Sequence, residues 1–177
     1  VWICRVLREE RPEIFSAVEG ICIACMRDCL AVVDVEGKAL RPMILWLDQR
    51  RTQVIRPQNP LLLAGASLIG AGTLIREAGQ VGYTNYLIDC EPEIWKKADK
   101  FVLLSGYLHR WLLGFFCDSL SNQAGHIPFD SKRQKWADWR DVKYHVYPVE
   151  PEKRVPLVPS GTVMGNLSAA AQADTGL

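Results

Sequence analysis

A chain of 177 residues is long enough for one domain with a hydrophobic core of its own. Hydrophobic residues make up 49% and charged residues 23%, a globular composition rather than a disordered or fibrous one. Lys plus Arg is 21 against Asp plus Glu at 20, so the formal net charge of +1 offers nothing for nucleic acid or an anionic membrane to bind.

In chain order, residues 2–7 read as a strand or the end of a helix. Residues 8–17 read as an exposed helical turn or two, with Pro12 near its start. Three short apolar runs follow, at 21–24, 30–33 and 43–47, rich in the residues that fit buried strands. Arg27 and Asp28 interrupt the first two. Glu36-Gly37-Lys38 reads as a tight turn, with Gly37 free to take positive φ. Asp48 is placed to cap a short helix over 50–56. Cys22, Cys25 and Cys29 lie close enough to suggest a metal or redox site. No second Cys pair stands at matching spacing and no His is near in sequence, which favours small apolar residues packed in strands. No metal site is expected. Six scattered cysteines, without a small disulfide framework or a signal-peptide layout, fit a reducing, cytoplasmic compartment.

Residues 57–75 carry no charge and read as a buried loop or core helix, too short and too Gly-rich for a membrane span. Glu91-Pro92 opens a helix, with acids leading and lysines following as the macrodipole favours. Residues 101–104 form a short buried strand. Ser105 caps the next helix, whose apolar face is Tyr107, Leu108, Trp111 and Leu112 and which Gly114 ends. Residues 131–141 read as an amphipathic helix with Trp136 and Trp139 on one face. Its basic cluster, Lys132, Arg133 and Lys135, reads as a solvated face. His126 has no evident partner. Residues 148–159 are a Pro-rich connection. Residues 167–177 form a last helix, with Ser168 at its start and Gly176 past its end.

Gly20-Ile21, Met26-Arg27-Asp28, Asp34, Gly37-Lys38, Leu40-Arg41-Pro42, Ile44, Trp46, Asp48 and Arg50 stand at the spacing of one family's pattern. Most of residues 91–114, then Asp118, Ser121, Asn122 and the 155–165 segment continue it. The chain resembles the FGGY carbohydrate kinases, the family of glycerol kinase and xylulokinase. The resemblance implies an α/β, ribonuclease H-like (actin-like ATPase) fold, with residues 1–177 forming part of the first, sugar-binding domain. It implies transfer of the ATP γ-phosphoryl group to a sugar or polyol hydroxyl, with ATP and Mg2+ as cofactors of the parent enzyme and none bound by this segment.

By the same resemblance, Arg27 and Asp28 take the places of the arginine and glutamate that hold glycerol in glycerol kinases. Xylulokinases have methionine and histidine at those two positions. Trp46 lines the pocket, and Asp48 and Asn122 complete the substrate-binding set. A guanidinium, a carboxylate and an indole suit a polyhydroxy ligand. The family's opening D-x-G-T-(S/T) does not occur here, and the catalytic aspartate of its G-x-G-D segment would lie beyond Leu177. The segment is therefore expected to be inactive alone. A sugar or polyol is the expected partner, with neither nucleic acid nor membrane, and a homodimer is left open. The competing readings are a non-catalytic carbohydrate-binding or interaction module and a thiol or metal protein.

Overall fold

A computed structural model describes residues 1–53 and 60–177, and none of its helices is long and apolar enough to cross a membrane. In order come α1 (Trp2–Glu10), α2 (Pro12–Phe15), β1 (Leu30–Val33), α3 (Pro60–Leu68), α4 (Gly72–Val81) and α5 (Tyr83–Cys90). Next are α6 (Pro92–Lys97), β2 (Lys100–Leu103), α7 (Leu104–Leu113), β3 (Asp118–Ser119), β4 (Phe129–Asp130) and β5 (Lys135–Trp136). The chain closes with α8 (Val142–Val146), β6 (Leu157–Val158) and α9 (Ala169–Thr175).

The centre is the antiparallel pair β1–β2, in register from Leu30↔Leu103 to Val33↔Lys100. On the other side of β1, Leu30 exchanges two backbone hydrogen bonds of 2.8 Å with Ile44, and Leu40 donates to the Val32 carbonyl. β1 is buried at every position. Its period-2 alternation sends Leu30 and Val32 into one cluster with Phe101, Leu103, Leu87 and Trp95, and Ala31 and Val33 into another with Val102 and Val155. Burial on both faces explains the continuous apolar run in the sequence. The turn after β1 is the expected one. Gly37 takes φ +86°, and Asp34 accepts from the Lys38 amide at 2.8 Å.

Several expected elements differ. Residues 21–24 join no ladder among the described residues. Of residues 43–47 only Ile44 bridges to β1, and Leu45, Trp46 and Leu47 form an exposed turn. Asp48 Oδ1 accepts from the Arg50 amide at 2.9 Å, yet residues 50–53 are not helical, and 54–56 of that expected helix lie outside the described residues. The apolar 57–75 stretch is helical from Pro60, but Leu61, Leu68, Ile69 and Leu74 are exposed rather than core. Residues 131–141 make a turn and the hairpin strand β5 instead of a helix. Phe129 pairs with Trp136, while Trp139 is exposed.

Helix α7 begins at Leu104, so Ser105 is not its cap. Its buried face is Ser105, Gly106, His109 and Leu112; of the expected apolar face Leu112 is buried and Tyr107 packs half-buried on the core, Leu108 is half-buried and Trp111 is exposed. Polar and small residues face inward there because Asp118 lies beneath them. The other helix ends follow the sequence. Pro92 opens α6, Gly114 closes α7 at φ +83° and Gly176 closes α9 at φ +76°. Ser168 Oγ accepts from the Ala171 amide and donates to the Trp111 carbonyl, both at 3.1 Å, so it caps α9 and ties it to α7. Ser168→Ala is expected to lower stability by about 1 kcal/mol, read as a lower urea midpoint with unchanged slope.

Candidate functional site

Asp28 sits in the left-handed region at φ +58°, immediately before the buried Cys29–Val33 run. That conformation turns its carboxylate toward the 123–127 segment. Oδ1 accepts from the His126 amide at 2.9 Å, and Oδ2 pairs with His126 Nδ1 at 2.8 Å. Gly125, at φ +94°, allows the approach, since a Cβ built there would overlap the Asp28 carboxyl group. Tyr83 Oη lies 3.4 Å from both the Asp28 carbonyl and Oδ2, and 3.5 Å from the Leu45 carbonyl. One phenol thus joins the Arg27–Asp28 turn to the turn that carries Trp46.

The two helices behind this cluster are clamped. Gly82 ends α4 and lets α5 begin at Tyr83. One helical turn on, Asn85 Nδ2 donates to the carbonyls of Gly79 at 2.9 Å and Val146 at 2.8 Å, locking α5 against the end of α8. Tyr147 follows α8, so two tyrosine rings flank His126, with centroids at 4.9 Å for Tyr83 and 5.7 Å for Tyr147. Burial, reinforced by the Asp28 charge, pushes both phenols above the ordinary tyrosine range.

The expected site residues divide into three places. Asp28 is at the centre of the cluster. Arg27 is exposed and has no hydrogen bond or ion pair among the described residues, and Trp46 is 52% exposed beyond Leu45. Asp48 belongs to a neighbouring ion network. Its carboxylate takes the Arg50 guanidinium, which holds the acid below the usual carboxylate range and stacks over Tyr86 at 5.0 Å. Arg50 Nη1 also lies 3.9 Å from Glu91, which pairs with Arg41 at 2.6 Å.

Asn122 lies apart from all of these. It donates to Asp118 Oδ1 at 3.1 Å and borders a cavity of about 650 Å³ between residues 18–23 and 160–167, which none of Arg27, Asp28, Trp46 and Asp48 lines. Asp118 itself is 1% exposed. It accepts from Ser105 Oγ, Gln123 Nε2 and the Ser119 amide, each at 2.8 Å. His109 Nδ1 faces it at 3.4 Å without meeting hydrogen-bond geometry. Burial alone would raise the Asp118 carboxyl. The facing His109 and the donors Ser105, Asn122 and Ser119 outweigh it and hold the group below the ordinary range.

All six cysteines are free thiols, and burial raises Cys25 and Cys117 further from the thiolate form. Among the described residues no three His, Cys, Asp or Glu side chains stand together as a metal site. Sequence reasoning missed His126, Tyr83 and Tyr147. Only the Gly before each of Tyr83 and His126 signals them, and neither glycine names a partner 55 or 98 residues away.

The fold class follows from this arrangement and from solved structures. The chain superposes on the "xyloylose kinase" of Brucella ovis with a TM-score of 0.69 at 24% identity, covering 94% of this chain and 34% of that one. It matches the xylulose kinase of Rhodospirillum rubrum with a TM-score of 0.67 at 19% identity, covering 98% and 36%. This is the ribonuclease H-like, actin-like α/β fold, present in part. The model of the FGGY family of carbohydrate kinases, N-terminal domain, matches residues 6–177, and the chain belongs to that family. Among curated relatives, the xylulose kinase of Lactococcus lactis is 28% identical over 136 residues, 75% of this chain and 26% of that protein. That of Escherichia coli K12 is 29% identical over 123 residues, 68% and 25%. The chain spans about a quarter of the length of these relatives.

Proposed function

We propose that this chain is the sugar-binding part of an ATP-dependent carbohydrate kinase, and that a pentulose or polyol hydroxyl is the phosphoryl acceptor. The observation that carries the reading is the cluster at the start of the β1 run in a chain of this family. There an unpaired guanidinium, Arg27, stands next to a carboxylate whose position is fixed from three sides. The start of β1 lies beside Leu103, the last residue of β2, and the carboxyl ends of strands are where α/β sheets bind small ligands. Arg27 supplies planar donors to hydroxyl oxygens, and the half-exposed Trp46 offers an apolar wall to a carbon skeleton. In this reading Asp48 and Asn122 act through their neighbours, since each side chain is already bonded to protein.

The residues around Asp28 do not fit magnesium. Both carboxylate oxygens are taken by His126, and among the described residues no second acidic group completes a metal site there. Asp28 is likewise unsuited to act as the general base, so the chain alone is expected to show no ATP-dependent phosphorylation of sugars or polyols.

The test of the binding reading is calorimetric titration of the chain with D-xylulose, xylitol, glycerol and gluconate. One of them is expected to bind, and Arg27→Ala to weaken it at least about tenfold, the loss of one charge-assisted contact. Equal affinity of the variant, or no binding by the parent chain, would remove the reading.

A further inference from the structure

We infer that His126 is a specificity-determining residue: Asp28 holds its Nδ1–H, and its Nε2 accepts a hydrogen bond from a hydroxyl of the pentulose or polyol bound beside Arg27. This rests on the proposed sugar-binding reading and adds to it the residue that orients the ligand.

The tautomer follows from the partners. An ionised carboxylate only accepts, so Nδ1 at 2.8 Å from Asp28 Oδ2 must carry the proton. With no second proton on the ring, Nε2 is then an acceptor. Among the described residues it has no hydrogen-bond partner, yet it is not sealed from solvent, because the side chain is 29% exposed and Nε2 is not among the buried unpaired atoms. The ring cannot swing to satisfy itself elsewhere. Tyr83 and Tyr147 pack against it, and the His126 amide is held by the same carboxylate. A fixed acceptor with an open lone pair is what a hydroxyl donor needs.

The backbone supports a functional rather than a merely structural contact. Asp28, a non-glycine residue, takes positive φ, and it meets this histidine across Gly125. Non-glycine residues held in this region concentrate where a ligand has to be met. A latch between two loops would need only the Nδ1 side of the ring, which an asparagine supplies.

His126→Asn therefore separates the two roles. Its side-chain amide can still donate to Asp28, while the atom equivalent to Nε2 is gone. The expected result is an unchanged melting midpoint with at least about tenfold weaker binding of the polyol, the loss of one hydrogen bond. In parallel, ¹⁵N-histidine spectra of the parent chain should show the Nδ1–H tautomer and a shift of the His126 Nε2 resonance on adding that ligand. If the parent chain binds a probe while His126→Asn binds it equally well and Nε2 does not shift, the histidine is a latch and the inference is wrong, with sugar binding intact. If the parent chain binds none of the four probes, the sugar-binding reading fails and the role of His126 falls with it. Should His126→Asn fail to fold, the Nε2 shift in the parent chain decides alone.

Discussion

Asp118→Ala is expected to destabilise the chain by about 3–5 kcal/mol at neutral pH, the range for removing one partner from a buried charged network. The carboxylate is inaccessible and serves Ser105 on α7, Asn122 and Gln123 in the following segment, and the Ser119 amide of β3. Deleting it strips the Ser105 hydroxyl and the Ser119 amide of a buried acceptor and takes one acceptor from Asn122 and from Gln123, which keeps the Ser119 carbonyl. It also parts α7 from β3, which pairs in parallel with β6. The same residue sets an acid limit. Its folded-state pKa lies below the unfolded value of about 3.9. The contribution is therefore fully present above pH ~4 and is lost as pH falls through the folded value. Urea unfolding of the parent chain and Asp118→Asn at pH 7, 5 and 3 should show a gap that is constant between pH 7 and 5 and narrows at pH 3. A gap independent of pH across that range would mean that the charge contributes nothing and only the shape matters.

Gly125→Ala is expected to cost about 3 kcal/mol or more. A side chain at φ +94° is penalised by about 1–2 kcal/mol in the left-handed region. The added Cβ also overlaps the Asp28 carboxyl group, and Asp28 is too short to bend away. It must rotate, which breaks both of its bonds to His126, each worth about 1.5–3 kcal/mol as a bond to a charged group. Gly161→Ala is the control. That glycine also has positive φ, +80°, but a Cβ there meets nothing within 4 Å, so only the backbone term, about 1 kcal/mol, should appear. A double-mutant cycle tests the overlap directly. Combined with Asp28→Gly, the Gly125→Ala cost should fall toward the control value. Additivity of the two substitutions would show that the alanine is accommodated without moving Asp28.

How legible the molecule was depended on the range of the interaction that decides each element. Residues 30–33 read as a buried strand because Leu, Ala, Val and Val carry the apolar continuity of a strand covered on both sides, and β1 is that strand. Pro92, Gly114, Ser168 and Gly176 announced helix ends through local backbone and capping chemistry, and each holds in the structure. Residues 21–24 carry the same apolar signal as 30–33 but make no ladder among the described residues; a strand forms only where another strand lies alongside it. The Trp136–Trp139 spacing fitted a helix, yet Phe129 across the hairpin claims Trp136 for a strand.

The amino-acid sequence by itself determined the family, the central strand with its turn at Gly37, the start of α6, the end of α7 and both ends of α9, and the placing of Arg27 and Asp28 as neighbours. These depend on residue type and short spacing, which the order of residues states outright. Only the tertiary structure decided that the Asp28 carboxylate is bound to His126 and Tyr83, that Arg27 is left unpaired, and that Asn122 serves Asp118 in another place. The Asp28 contacts require segments 55 to 98 residues apart to be brought within hydrogen-bond distance, and no local propensity encodes a meeting of that span.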